Sequence, residues 1–178
     1  MILNLITLAT VKTQLGLSDT TYDASITAMI PIVSNDVRRI LNCKFDTFVE
    51  AVITDSSTTG YFGQDLVMGQ GIYSSKIPLD SYITAYDPDT GIYTFSGTST
   101  GATDYVYLAL NIAQWSAVSK MIFYKIGKMS TDAASPESLK SARYGNVAKT
   151  FSDSEINKMY DYPQILINDL GRKYAVTG

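Results

Sequence analysis

Histidine is absent from the 178-residue sequence, and cysteine occurs once, at Cys43. Catalytic triads built on imidazole, and metal sites that depend on it, are therefore excluded. A lone cysteine forms no disulfide within the chain, and no base can be paired with Cys43 to make it a nucleophile. The glycines between 60 and 71 have neither the spacing nor the lysine of a phosphate-binding loop. We therefore predict a non-enzymatic protein with no catalytic, metal-binding or cofactor-binding residues.

Charged residues make up only 17% of the chain, with a net charge of −3 and an isoelectric point of about 4.8. This balance provides no field that would bind phosphates tightly, so we do not expect a nucleic-acid-binding protein. Tyrosine, in contrast, occurs 13 times. Because its ring is large and its hydroxyl is polar, this abundance indicates either protein contact surfaces or half-buried strands, with equal weight.

No apolar run is long enough to predict a membrane span. The uncharged stretch Tyr105 to Ser119 has 15 residues and contains Asn111 and Gln114, whereas a span needs roughly 20 largely apolar residues. The first four residues lack the charged and apolar regions of a signal peptide. We expect a protein that is made and kept in the cytoplasm.

The segment from Asp104 to Lys128 predicts a long helix. Asp104 can cap its first turn, and Lys125 and Lys128 suit the negative end of the helix dipole. Apolar residues recur between them at steps of three, four or seven, as on one helical face: Leu108, Ile112, Trp115, Ile122 and Ile126. We therefore predict a mainly α fold, a helical bundle in one domain around a central helix at about 104–128. Its predicted core residues are Leu108, Trp115 and Ile122.

Two helices are predicted before this one. Thr7 caps a short helix that Gly16 ends, because glycine adopts the left-handed conformation without strain. Thr20 with Asp23 resembles a capping box for a second, strongly amphipathic helix, whose apolar face comprises Ile26, Ile30, Val33, Val37 and Ile40.

Between about residues 45 and 103 the pattern changes to β-branched and aromatic runs separated by glycine, which predicts a β-rich insertion. Phe48 to Thr54 is one strand, and two more strands form a hairpin around the turn Asp87 to Gly91. The glycine-rich stretch Gly60 to Tyr73 is predicted to be a flexible arm, with three aromatic residues that contact a neighbouring subunit: Tyr61, Phe62 and Tyr73.

The C-terminal part is predicted to be mostly helical. A short helix extends from Ser135 to about Ala142, an extended run follows at 146–151, and a helix follows at 156–160. Pro163 begins a last helix, which carries an apolar stripe and two cations: Leu166, Leu170 and Tyr174, with Arg172 and Lys173. Either this helix folds onto the bundle or the segment 163–178 docks onto a partner. The residues alone favour neither.

Both flanks of the chain resemble the head-tail connector proteins of tailed phages, the adaptors that form a ring beneath the portal. The residues that carry the resemblance are, in chain order, Ile6 to Leu17, the loop with Asp19 and Asp23, Arg38 to Leu41, Ser138 to Ser141, Tyr144 to Val147, and Tyr162 with Pro163. The β-rich insertion lies outside them.

The resemblance implies a helical bundle and a structural protein of the virion neck, assembled in the host cytoplasm. Its partners would be identical copies in a ring, twelve as is usual in that family, with the portal protein and a stopper or tail protein. DNA would pass through the lumen without sequence-specific binding. Terminal segments in that family reach into the portal, which favours portal docking by the last helix: Leu166, Leu170, Arg172, Lys173 and Tyr174.

Two other functions stay open at this point. The chain could be a monomeric ligand-binding domain that uses the β-rich insertion as a pocket, or a hydrolase that uses carboxylates. Asp153 and Glu155 could carry acid–base chemistry, although their place in the first turn of a predicted helix explains them equally well.

Overall fold

The computed structural model describes residues 4–42, 47–131, 141–144, 147–150, 156–157 and 161–171. The chain forms two compact units. One comprises Met1–Cys43 and Gln114–Gly178 and is called the helical unit below. The other, Lys44–Ala113, is called the barrel unit. The predicted β-rich insertion at 45–103 lies inside the barrel unit, which extends ten residues further.

Six antiparallel strands form a closed barrel in the barrel unit. They are β1 (Phe48–Ile53), β2 (Thr59–Phe62), β3 (Gly71–Tyr73), β4 (Ser81–Asp87), β5 (Ile92–Phe95) and β6 (Thr103–Ala109). Around the barrel the order is β1-β2-β5-β4-β3-β6, and β6 pairs back to β1. Closure leaves no strand with a free edge, which removes a common route to aggregation. The predicted strand at 48–54 and the predicted hairpin are confirmed.

Alternating residues of the strands fill the barrel interior. On β1 the inward residues are Val49, Ala51 and Ile53, while Phe48 and Glu50 face outward. The buried cluster comprises Val49, Ala51, Ile53, Ile72, Ile77, Ile83, Tyr93, Phe95, Val106 and Leu108. Because these apolar side chains occupy the interior, it is a packed core, as expected for a small barrel.

The turn between β4 and β5 is stabilised by the carboxylate of Asp87. Its two oxygens accept hydrogen bonds from the backbone N–H of Asp89 (3.0 Å) and the hydroxyl of Thr90 (2.7 Å). The Thr90 hydroxyl first, and then the Asp89 N–H, lower the pKa of Asp87 below its ordinary value. Gly91 has φ of 70°, the left-handed conformation that the sequence assigned to it.

The glycine-rich stretch Gly60 to Tyr73 is not one continuous loop, because its two ends lie in β2 and β3 and only residues 63–70 connect them. Its glycines permit close packing: a methyl group at Gly71 would lie 2.3 Å from the carbonyl oxygen of Leu110, and one at Gly60 would lie 2.4 Å from a side-chain carbon of Ile53. The interpretation of the whole stretch as a loop is therefore wrong at its two ends, while its ordering by a neighbouring subunit stays a prediction.

The predicted helix at 104–128 is also wrong in its first third. Residues 103–109 form β6, and α3 extends over Ile112–Thr131. Val106 and Leu108 are buried while Tyr105 and Tyr107 are partly exposed, which is the two-residue period of a strand. Asn111 caps the helix instead of Asp104, since its side-chain oxygen accepts from the N–H of Ala113 at 3.0 Å.

The predicted fold class is corrected accordingly. In the described ranges the protein is a closed six-stranded barrel with four helices, and not a mainly α bundle around a helix at 104–128. The physical reason is that segment 103–109 gains backbone hydrogen bonds to both β1 and β3 as a strand. As a helix it would leave the barrel open between those two strands.

In the helical unit, α1 (Leu8–Leu15) begins and ends as predicted. The hydroxyl of Thr7 accepts from the N–H of Thr10 at 3.2 Å, and Gly16 has φ of 66°. For α2 (Asp23–Leu41), Tyr22 is the N-cap and makes no side-chain capping bond, so the predicted capping box is wrong. Asp23 instead pairs with Lys12 of α1 at 2.8 Å.

The core of the helical unit contains the predicted apolar face of α2, of which Ile26, Ile30, Val33 and Val37 are buried. From α3 it contains Ala117, Val118, Met121 and Ile122. Of the three predicted core residues, Ile122 is buried here and Leu108 is buried in the barrel unit, while Trp115 is only half-buried.

Short elements follow α3 in the C-terminal part. The hairpin β7 (Ser141–Tyr144) with β8 (Val147–Thr150) confirms extended chain near 146–151. β9 (Ile156–Asn157) pairs with β10 (Tyr162–Pro163), so the predicted helix at 156–160 is wrong at its start. The last helix, α4 (Gln164–Asp169), follows Pro163 as predicted. Cys43, Ser135 to Lys140, and Asp153 with Glu155 lie outside the described residues.

Replacement of Gly71 by alanine should destabilise the protein by about 1–3 kcal/mol, because the added methyl group meets backbone that cannot move away without opening the barrel. The matched control is Gly127→Ala in α3, where the methyl group meets nothing within 4 Å. That change should stabilise the protein by about 0.5–1 kcal/mol. Urea unfolding measures both, and equal midpoints for the two variants would contradict the packing role of Gly71.

Candidate interaction site

Four aromatic side chains line the outer surface of β3, β6 and β1, and are called the aromatic ladder below: Tyr73, Tyr107, Phe48 and Tyr105. The rings of Tyr73 and Tyr107 are stacked with centroids 5.3 Å apart, and those of Phe48 and Tyr105 are stacked at 5.5 Å. Edge contacts at 5.6 and 6.3 Å join Tyr107 to Tyr105 and to Phe48. The four rings therefore form one continuous surface.

Strand register explains why these rings meet. Tyr107 lies directly opposite Tyr73 on one side and Phe48 on the other, and Tyr105 lies opposite Glu50. Directly opposed residues on one face of a sheet have Cβ atoms about 4.5–5.5 Å apart, so large rings in these positions must touch. Each of the four rings therefore packs against at least one other ring of the ladder.

The ladder is partly open to solvent. Phe48 is 55% exposed, and Val52, two outward positions further along β1, is 66% exposed. Glu50 lies between them and is also exposed. Large rings with hydroxyl groups beside a carboxylate favour contact with a protein surface that offers apolar groups and cations.

A second exposed apolar site is the turn Val67 to Gln70, which is firmly held. Gly69, with φ of 78°, donates its N–H to the Ile83 carbonyl at 2.9 Å, and its own carbonyl accepts from Ile112 at 3.0 Å. Val67 and Met68 nevertheless expose 52% and 57% of their surface. A partner would therefore meet a preformed apolar turn.

The structure separates the three aromatic residues of the predicted arm. Tyr61 and Phe62 lie on β2, which pairs with β1 and β5, whereas Tyr73 lies on β3, which pairs with β4 and β6. Tyr61 is 49% exposed, and Phe62 packs edge-on against Tyr93 in the barrel wall at 5.4 Å. Only Tyr73 belongs to the aromatic ladder, and a role for these residues between subunits stays a prediction.

Sequence reasoning missed Phe48, Tyr105 and Tyr107 as site residues. The Tyr-Val-Tyr-Leu alternation at 105–108 has the period of a half-buried strand and could have indicated an exposed tyrosine pair. Nothing in the sequence, however, places residue 48 or 73 opposite residue 107. That juxtaposition follows from pairing between distant strands.

Two apolar residues of the predicted portal-docking helix, Leu166 and Leu170, are buried. Leu166 and Leu170 expose 3% and 0% of their surface, and the Gln114 amide donates to the Leu170 carbonyl at 3.0 Å. This helix is therefore folded into the helical unit and does not present these two side chains to a partner. Arg172, Lys173 and Tyr174 lie outside the described residues.

A polar network attaches the residues before α4 to α2 and α3. The Tyr162 hydroxyl donates to the Asp36 carboxylate at 2.6 Å. Lys125 lies 3.8 Å from the same carboxylate oxygen and 4.6 Å from the centre of the Tyr162 ring. Lys128 pairs with Asp161. The chain at 161–162 is thus fixed by one carboxylate from α2 and two lysines from α3.

Burial raises the pKa of Tyr162 far above its ordinary value of 10.0, and the hydrogen bond to Asp36 adds to this effect. Burial, followed by the negative charge of Asp161, also raises the pKa of Tyr124. Both groups therefore stay protonated in the folded protein through the physiological range, so Tyr162 remains a hydrogen-bond donor.

Charge is distributed very unevenly along the sequence. Residues 44–113 of the barrel unit contain eight acidic and two basic residues, a net charge of −6. The remaining residues, which make up the helical unit, contain nine acidic and twelve basic residues, a net charge of +3. The overall net charge of −3 is therefore the sum of a negative net charge on the barrel unit and a positive one on the helical unit.

Within the described ranges, no helix has the length and apolar character needed to cross a membrane. The same ranges contain no group of three or more cysteine, aspartate or glutamate side chains placed to hold a metal ion. Comparison with known proteins found neither a matching family model nor a matching curated protein.

Replacement of Leu170 by alanine should destabilise the protein by about 2–5 kcal/mol, because the side chain is fully buried. The matched control is Ile165→Ala on the same helix, which is 44% exposed and should change stability by less than about 0.5 kcal/mol. Thermal unfolding measures both variants. A Leu170 variant as stable as the control would mean that the last helix contributes little to the core.

Tyr162 should make the folded protein less stable in alkali. Its folded-state pKa is raised, so the folded protein keeps the proton while the unfolded chain releases it near pH 10. Stability from this group is fully present below pH 10 and should fall by about 1.4 kcal/mol per pH unit above it. Urea unfolding at pH 9 to 11 should show this slope reduced in Tyr162→Phe but retained in the exposed-ring control Tyr61→Phe. If stability falls with pH equally in the original protein and in both variants, the raised pKa of Tyr162 does not contribute to the loss of stability in alkali.

Proposed function

We propose that this chain is a structural subunit of a tailed-phage head-tail connector. Identical copies form a ring, twelve as the resemblance implies, that joins the portal to a stopper or tail protein in the virion neck. DNA passes through the lumen without sequence-specific binding, and the subunit catalyses no reaction. The proposal combines the resemblance of both flanks with the aromatic ladder.

The aromatic ladder is the observation that carries the proposal. It is a partly exposed surface of four contiguous rings, extended along β1 by the exposed Val52. Soluble monomers rarely leave contiguous apolar patches of this kind uncovered, and such patches often mark protein contacts. This surface and the abundance of tyrosine are both expected of a subunit that stays in contact with its neighbours.

The acidic barrel unit supports the proposed passage of DNA. A net charge of −6 repels the phosphate backbone, so a barrel unit near the lumen would let DNA slide without adhering. This effect requires no sequence-specific contact.

The C-terminal segment is still proposed to dock onto the portal, but through fewer residues. Since Leu166 and Leu170 are buried, docking would use Arg172, Lys173 and Tyr174, the cations and aromatic ring that follow α4. An acidic surface on the portal would suit the two cations.

A ligand-binding role for the barrel interior has less support. Ten buried apolar residues fill this interior, so a ligand would have to displace core side chains. The mass of the protein in solution distinguishes this alternative, because a ligand-binding domain would stay monomeric with or without portal.

Purified protein mixed with portal rings should form a complex with about twelve copies of the chain per ring, measured by light scattering or sedimentation. An unrelated ring-shaped complex provides the control for non-specific association. The reason for the expectation is that the aromatic ladder becomes covered only when copies assemble. If the protein stays monomeric and does not bind portal rings at micromolar concentration, the proposed function is wrong.

A further inference from the structure

The two units of this protein carry opposite charge, and the barrel unit exposes an aromatic surface. Building on the proposed function, we propose that neighbouring copies contact each other head to tail. In this contact the aromatic ladder with Glu50 on the barrel unit of one copy meets a stripe of α2, Ile32 with Arg39, on the helical unit of the next copy.

On the barrel side, the site is Glu50 and the rings beside it. Glu50 is exposed and lies opposite Tyr105, whose ring contacts Phe48 and Tyr107. Only two basic residues, Lys44 and Lys76, occur among residues 44–113. A carboxylate among tyrosine rings is suited to a guanidinium group, which can pair with the carboxylate and stack on a ring.

On the helical side, the site includes Arg39 because this residue is exposed. In the described part of the helical unit, the other basic residues are partly buried: Lys12, Arg38, Lys120, Lys125 and Lys128. Ile32 on the same helix is 46% exposed. Seven residues separate the two, so they share one helical face with about 10.5 Å between them.

The dimensions of the two sites agree. Tyr73 lies two strands from Glu50 and one two-residue step along, which is about 12 Å for strands about 4.8 Å apart with a rise of about 3.4 Å per residue. Arg39 can therefore pair with Glu50 while Ile32 packs against the rings of Tyr107 and Tyr73. An aliphatic side chain against tyrosine rings buries apolar area on both partners.

The net charges of the two units also favour this contact over a symmetric contact between two aromatic ladders. If two aromatic ladders met face to face, two units with a net charge of −6 each would be brought together. Like charges across an interface are strongly unfavourable, whereas −6 against +3 attracts. A head-to-tail contact between different surfaces also generates a ring when the rotation closes, as the proposed function requires.

The first test reverses each charge. Glu50→Arg and Arg39→Glu should each reduce assembly on portal rings by at least about tenfold at fixed protein concentration, because each places like charges together. The double variant, which exchanges the two charges, should restore assembly to within about threefold of the original protein. Asp89→Arg, an equal change of charge at the exposed β4–β5 turn, is the matched control and should assemble normally.

Several outcomes would overturn the contact. Normal assembly of Glu50→Arg, or no restoration in the double variant, means that the two residues do not meet. Free rings that form normally from Glu50→Arg but no longer bind portal would show that the aromatic ladder contacts the portal. Loss of assembly by Tyr107→Ser with no effect of either charge reversal would indicate a symmetric aromatic contact.

The second test does not depend on portal or on ring closure. In a Cys43→Ser background, a protein carrying Arg39→Cys is mixed with one carrying Glu50→Cys at high concentration and treated with a flexible bis-maleimide cross-linker. An arginine–glutamate ion pair holds its Cα atoms further apart than the about 7 Å that a disulfide bridges, and the flexible cross-linker spans that distance. A cross-linked dimer between the two variants should form in at least about tenfold excess over the control pair, Ile165→Cys with Glu50→Cys. Equal yields would contradict the contact. A failure of the original protein to form rings, with the cross-linked dimer still formed, would count against the proposed function alone.

Discussion

Pairing of β6 with both β1 and β3 is the interaction on which the barrel unit depends. It closes the sheet, so that every strand has two partners, and it places Val106 and Leu108 in the packed interior. The same register places Tyr107 between Phe48 and Tyr73 on the outer surface. The core and the candidate site therefore both follow from the register of β6, since a strand directs alternate residues to opposite faces. A one-residue shift of β6 would bury the tyrosines and expose the core.

The helical unit has its own polar constraint, formed by Tyr162, Asp36 and Lys125. A buried tyrosine hydroxyl that donates to a carboxylate satisfies both groups, and the lysine next to them offsets the remaining charge. This network explains why the last helix is folded into the unit with Leu166 and Leu170 inside. Among the described residues, the exposed surfaces proposed for partners therefore lie elsewhere: the aromatic ladder, and Ile32 with Arg39 on α2.

The two units carry net charges of opposite sign. In the proposed assembly, the acidic barrel unit of one copy would attract the basic helical unit of the next, while like units would repel, which favours a head-to-tail series over random association. The same acidic charge would keep DNA from adhering. The proposed assembly and the proposed passage of DNA would both depend on one feature of composition, the scarcity of lysine and arginine between residues 44 and 113.

Features that depend on neighbouring residues could be predicted from the sequence: the cap at Thr7, the left-handed Gly16, the apolar face of α2 and the turn at Asp87 to Gly91. Each rests on hydrogen bonds or periodicity within a few residues, so local chemistry is sufficient. Tertiary structure alone decided that residues 103–109 form a strand, because their apolar pattern fits a helix as well. Hydrogen bonds to β1, whose paired residues lie 50 to 59 positions earlier, and to β3 favour the strand. The aromatic ladder was decided in the same way, since it joins residues 48, 73, 105 and 107, and only strand register brings residues so far apart in the chain into contact.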